Sequence, residues 1–97
     1  MEIEFKSDKE VLEAALHKWG GELQELIAIE EMAELTKALI KRRRMSIAEY
    51  DETKIVDEIA DVQIMLWQLA IIYGRYHIED AIAAKMERLK SRLETKN

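Results

Sequence analysis

The chain has no cysteine and no proline, only three glycines, and aromatic residues make up only 6% of its 97 positions. Without cysteine, disulfides, thiolate zinc sites and thiol nucleophiles are excluded, and a reducing compartment fits. With no proline and glycine only at Gly20, Gly21 and Gly74, little interrupts long helices, and the glycines mark where they stop. No apolar run approaches the roughly 20 residues of a membrane span, and Met1-Glu2-Ile3-Glu4-Phe5 does not read as a signal peptide. The expectation is therefore a cytoplasmic protein with no membrane partner. Basic surplus is also lacking: 20 acids stand against 15 bases, a net charge of -5. This argues against a nucleic acid polymer as partner, since such binding needs basic surface to neutralise phosphates.

What is present is 48% hydrophobic and 36% charged residues, a globular composition in a length that suits one small domain. Ser7-Asp8-Lys9-Glu10 reads as a capping box opening a helix from about Asp8 to Lys18, ended by Gly20-Gly21. A long amphipathic run covers Glu22 to about Arg44, with Leu23, Leu26, Ile27, Met32, Leu35, Leu39 and Ile40 as a broad apolar stripe. Lys41-Arg42-Arg43-Arg44 closes it, which suits the helix dipole; contact with phosphate or a partner is the other use of such a run. Met45 to about Glu52 is the connection, with a second capping box at Ser46-Ile47-Ala48-Glu49. A third helix runs from about Asp51 to Tyr73 with apolar residues on several sides, which predicts a central position, and Gly74 is its stop. A last helix covers about Ile78 to Glu94, with Ile82, Met86, Leu89 and Leu93 on one stripe. No segment alternates as a strand, although residues 1–6 suit a short extended arm.

The expected fold is all-α, one domain over residues 1–97: a helical bundle of three long helices plus a shorter one, completed by homo-oligomerisation. Small helical domains commonly cover excess apolar surface that way. Trp67, Tyr73 and Tyr76, on or just after the central helix, are expected in the core or between subunits, and His17 and His77 at the surface.

Two acidic blocks carry the chemistry. Ile29-Glu30-Glu31-Met32-Ala33-Glu34-Leu35 is echoed 27 residues later by Val56-Asp57-Glu58-Ile59-Ala60-Asp61-Val62. On a helix, residues three and four apart share a face, so Glu31 with Glu34, and Glu58 with Asp61, each stack one turn apart. If the two helices pack antiparallel, four carboxylates converge. Unit charges about 6 Å apart repel by about 3 kcal/mol at an effective dielectric near 20, and a divalent cation would offset that. Oxygen ligands without His or Cys fit Mg²⁺, Mn²⁺ or Ca²⁺. Iron in a di-carboxylate bundle would call for Glu-x-x-His, and neither histidine has that spacing. Mg²⁺ keeps open positions for substrate phosphates, which points to nucleotide chemistry. Glu30 and Asp57 are either outer ligands, water-orienting bases or solvated flanks.

Glu30-Glu31-x-x-Glu34, a spacer of 23 residues, then Glu58-x-x-Asp61 resembles the signature of the MazG-like, all-α nucleoside triphosphate pyrophosphohydrolases. Trp19-Gly20, Gln24 and Lys85 also have the family look, and the likeness covers roughly residues 15–93. The resemblance implies Mg²⁺, with Mn²⁺ able to substitute, held by Glu31, Glu34, Glu58 and Asp61. It implies cleavage of a nucleoside triphosphate between the α and β phosphates, with Glu30 or Glu34 as general base. Lys54, Lys37 and Lys85 would meet phosphates, and Trp19 with Gln24 would form a base pocket. The plainer readings are ion pairs of Lys54 with Glu58 and Lys37 with Glu34, a solvated Lys85, and a core Trp19. A phosphoribosyl-ATP or dUTP/dCTP-type hydrolase shares the superfamily. A non-catalytic helical interaction module, or a metal-storage or metal-sensing bundle, would use the same acids without turnover. A dimer or tetramer, with Lys85 or Trp19 acting in trans, is compatible with the sequence.

Overall fold

The computed structural model describes residues 6–45 and 52–95, which form four helices and no strand: α1 (Lys6–Trp19), α2 (Gly21–Arg44), α3 (Thr53–Tyr73) and α4 (Arg75–Glu94). The expected arm at the N-terminus and the capping box at Ser46 lie outside the described residues. Helix α1 is the short one, with 14 residues against 24, 21 and 20 for the others. It already includes Lys6 and Ser7, two residues ahead of the expected start near Asp8. None of α2, α3 or α4 receives a side-chain cap at its N-terminus. The starts of α2 and α4 follow directly on the corners at Gly20 and Gly74.

Two glycines make the sharp corners. Gly20, at φ 87°, separates α1 from α2 and donates its N–H to the Leu16 carbonyl at 2.8 Å. Gly21 already belongs to α2; one left-handed residue suffices to end α1. Gly74, at φ 104°, ends α3 by donating to the Ala70 carbonyl at 2.9 Å, and its own carbonyl accepts from Ile78 of α4 at 3.1 Å. A Cβ at Gly74 would stand 2.8 Å from the His77 ring, so both backbone and neighbour require glycine.

Helices α2 and α3 are the antiparallel centre. Residues early in α2 meet residues late in α3: Gly21 faces Ile72, and Tyr73 donates its hydroxyl to Glu25 at 2.8 Å. At the other end Arg42 reaches Glu52 at 3.5 Å. Helix α1 packs on both α2 and α3, whereas α4 packs on α3 alone among the described elements. The most protected positions of α2 recur as Gln24, Ala28, Glu31, Leu35 and Ala38, and those of α3 as Ile55, Glu58, Val62, Met65, Gln68 and Ile72. Spacings of three and four define the seam of two helices packed side by side.

The seam departs from the stripe expected on α2. Leu23, Leu26, Met32, Leu39 and Ile40 are all exposed, and the face turned toward α3 carries small and polar residues instead. Alanines at 28 and 38 let the two backbones approach. Tyr73 and Tyr76 are exposed in the single chain, as are His17 and His77, and no residue of α4 is buried.

Candidate metal centre

The seam explains why the acids matter. Ala28 and Leu35 flank Glu31 on it, and Ile55 and Val62 flank Glu58. These are positions where an apolar side chain would be expected. Glu58 is 6% exposed, and carboxylates are seldom buried that far unless paired. Glu31 is partly buried and Asp61 exposed, and one carboxylate oxygen of each lies within 4.8 Å of the others. The cluster is therefore a funnel, with Glu58 at its floor and Asp61 at its rim.

At such separations each pair of charges repels by about 3 kcal/mol at an effective dielectric near 20. Two features relieve this. Lys54, one turn before Glu58, places its Nζ 3.2 Å from Glu58 Oε1 while remaining 62% exposed. Glu31 holds its proton more tightly than the ordinary 4.5. Burial is the main cause, followed by the charges of Asp61 and Glu58, by a hydrogen bond to Asp61 that only the protonated form can donate, and by Glu34.

A raised acid pKa means that the folded state binds more protons than the unfolded one between the two values. Its contribution to stability is then full below about 4.5 and is lost as pH rises through the folded value. Without metal, wild-type stability should fall across that window relative to Glu31→Gln, whose profile should be flatter. Urea midpoints measured from about pH 4 to pH 7 check this, and parallel profiles would contradict it.

Of the residues singled out in the sequence, Glu31, Glu58 and Asp61 are brought together. Glu34, one turn on from Glu31, is exposed and is felt there as charge. Glu30 and Lys37 are exposed on α2. Lys54 makes the ion pair with Glu58. Lys85 is exposed midway along α4, and α4 meets the C-terminal half of α3, the end away from Glu58. Trp19 is 52% exposed at the α1 corner, with the Lys18 Nζ 5.2 Å from its ring centroid. Gln24 is 4% exposed, on the seam two turns (about 10 Å) before Glu31.

Gln68 escaped the sequence reading. It is 5% exposed, its Oε1 is buried without a hydrogen-bond partner among the described residues, and it follows Asp61 by seven residues as Gln24 precedes Glu31 by seven. That heptad spacing of amide and acid on both helices was the available signal.

Three oxygen donors of hard character, one of them buried and cross-linked by a lysine, fit a Mg²⁺- or Mn²⁺-sized cation that leaves positions open for further oxygens. No family model matches the chain, and no curated protein or solved structure matches it either.

Proposed function

We propose that the chain is a metal-dependent nucleotide pyrophosphohydrolase that cleaves a nucleoside triphosphate between the α and β phosphates, a reading that includes removal of non-standard nucleotides. The observation that carries it is the buried Glu58 carboxylate, gathered with Asp61 of its own helix and with Glu31 across the helical seam. Carboxylates gathered at such a cost in repulsion, with an ammonium on their exposed side, suit phosphate chemistry better than a solvated face does. The likeness of the two acidic blocks to the MazG-like signature points the same way. In that reading Mg²⁺ would be held by Glu31, Glu58 and Asp61, with Glu34 reaching in, and would supply charge neutralisation on the triphosphate.

The chain's own groups have definite tasks. Glu31 would offer its carboxylate oxygen to the cation beside those of Glu58 and Asp61. Lys54, anchored by Glu58, meets phosphate oxygens from the solvent side. Glu34, one turn along from Glu31, takes a proton from the attacking water. The water oxygen bonds to the α phosphorus, the bridge between α and β phosphates breaks, and pyrophosphate leaves with the bridging electron pair. Trp19, at the end of α1, and Gln24, early in α2, would contact the base.

The test is a panel of ribo- and deoxynucleoside triphosphates with Mg²⁺ and with EDTA. The expected products are nucleoside monophosphate and pyrophosphate, formed only with metal. Release of single phosphate would remove the assignment.

A further inference from the structure

We infer that Gln68 reads the hydrogen-bonding edge of the substrate's base, so that the chain accepts nucleotides whose edge N–H is free and rejects those in which it is alkylated. The inference rests on the proposed nucleotide chemistry and adds to it a specificity residue and a rule of selection. Its origin is a carboxamide buried out of place. Gln68 is 5% exposed, and its Oε1 has no hydrogen-bond partner among the described residues. A buried acceptor without a donor is destabilising, and folded proteins hold few of them.

The fold sets this oxygen in line with the acid cluster. Gln68 follows Asp61 by seven residues on α3, and Gln24 precedes Glu31 by seven on α2. Seven residues are two turns, about 10 Å along the axis, and return to the same helix face. The helices are antiparallel, with Gly21 against Ile72 and Glu31 beside Asp61. Both glutamines therefore lie at one level of the seam. Gln24 is 4% exposed, yet it does not donate to Gln68 Oε1. Helix α1 packs on both α2 and α3 and ends at Trp19, just before α2 begins, so an aromatic ring stands at this end of the seam as well.

A nucleotide held by its phosphates at Glu31, Glu58 and Asp61 carries its base away from them by a distance of the same order as those two turns. An open acceptor at that level demands an N–H. The pairing edge of each common base offers one, beside a ring nitrogen or carbonyl that accepts. The oxygen and NH₂ of a glutamine carboxamide complement that couple. A methyl group on the edge nitrogen removes the donor and leaves Oε1 stranded as before. Sites built around such a hydrogen bond discriminate strongly against analogues that lack it. A buried water would satisfy Oε1 equally, but it would give Gln68 no influence over the base.

The test compares steady-state rates, with Mg²⁺, for ribonucleoside triphosphates and for their analogues methylated at the edge N–H. For the preferred base, methylation should lower kcat/KM of the wild type at least about tenfold, the effect of stranding one buried acceptor, and through KM more than kcat. Gln68→Met keeps the length of the side chain and removes its hydrogen bonds. In that variant the ratio of parent to methylated substrate should fall to near unity, while Mg²⁺ still stabilises the fold because Glu31, Glu58 and Asp61 are intact. A wild type indifferent to methylation, or a Gln68→Met variant that keeps the full ratio, would overturn the inference and leave the pyrophosphohydrolase reading in place. If no triphosphate is turned over, that reading fails and NMR of the wild type decides on binding alone. The Gln68 side-chain NH₂ signal should then shift on addition of nucleoside monophosphates with Mg²⁺ and not of their methylated forms; no shift with any of them would overturn the inference.

Discussion

Saturating Mg²⁺ or Mn²⁺ should raise the melting temperature of the chain by about 10–20 °C. A cation at a hundred times its dissociation constant stabilises the state it binds by about 2.7 kcal/mol, and each kcal/mol moves the midpoint of a domain this size by about 4–8 °C. The physical source is the cluster itself. Glu31, Glu58 and Asp61 repel one another in the metal-free fold, and the cation converts that repulsion into attraction. Glu31→Gln and Asp61→Asn should therefore act in opposite senses under two conditions. Without metal each removes a repelling charge, and the variant should melt at or above the wild type. With metal the variant should gain little and fall below it. Thermal melts with and without cation make the comparison, and an equal metal shift in wild type and both variants would place the cation elsewhere. A non-catalytic interaction module predicts no shift in any of them.

The second large effect is on turnover. Glu58→Gln should lower metal-dependent pyrophosphate release about a hundredfold to a thousandfold, the scale seen when one electrostatic group is removed from a reacting centre. Glu58 is singled out because it is the buried member of the cluster and because it anchors Lys54 at 3.2 Å. Its replacement would loosen both the proposed metal site and the ammonium proposed to meet phosphate. Lys54→Ala should act mainly on substrate affinity, since Lys54 is largely exposed and its carboxylate partner remains. Rates and KM measured for both variants separate these roles; equal loss of kcat in Lys54→Ala and Glu58→Gln would show that Lys54 belongs to the chemistry itself.

The two acidic blocks were legible in the sequence because a repeated acid–acid–apolar–Ala–acid word on helices fixes which carboxylates share a face. Gly20 and Gly74 were legible for the same kind of reason, since each corner needs a positive φ. The start of α1 was not: Ser7 offers a capping box, yet α1 already includes Lys6 and Ser7. The packing face of α2 was not legible either. Counting apolar residues favours Leu23, Leu26, Met32 and Leu39, but close approach of two backbones favours Ala28 and Ala38, and the seam runs through them. That choice also places Gln24, Glu31, Glu58 and Gln68 inward, polar residues that a hydrophobicity pattern assigns to solvent. For α4 the stripe was visible, but that none of it is buried among the described residues was not.

The most direct test of the central claim is phosphorus NMR of a nucleoside triphosphate incubated with the chain and Mg²⁺. The account predicts loss of the triphosphate signals and growth of pyrophosphate and monophosphate together, in equal amounts, and abolished by EDTA. Inorganic phosphate with a diphosphate, or an unchanged spectrum for every triphosphate in the panel while the cation still stabilises the fold, would contradict it.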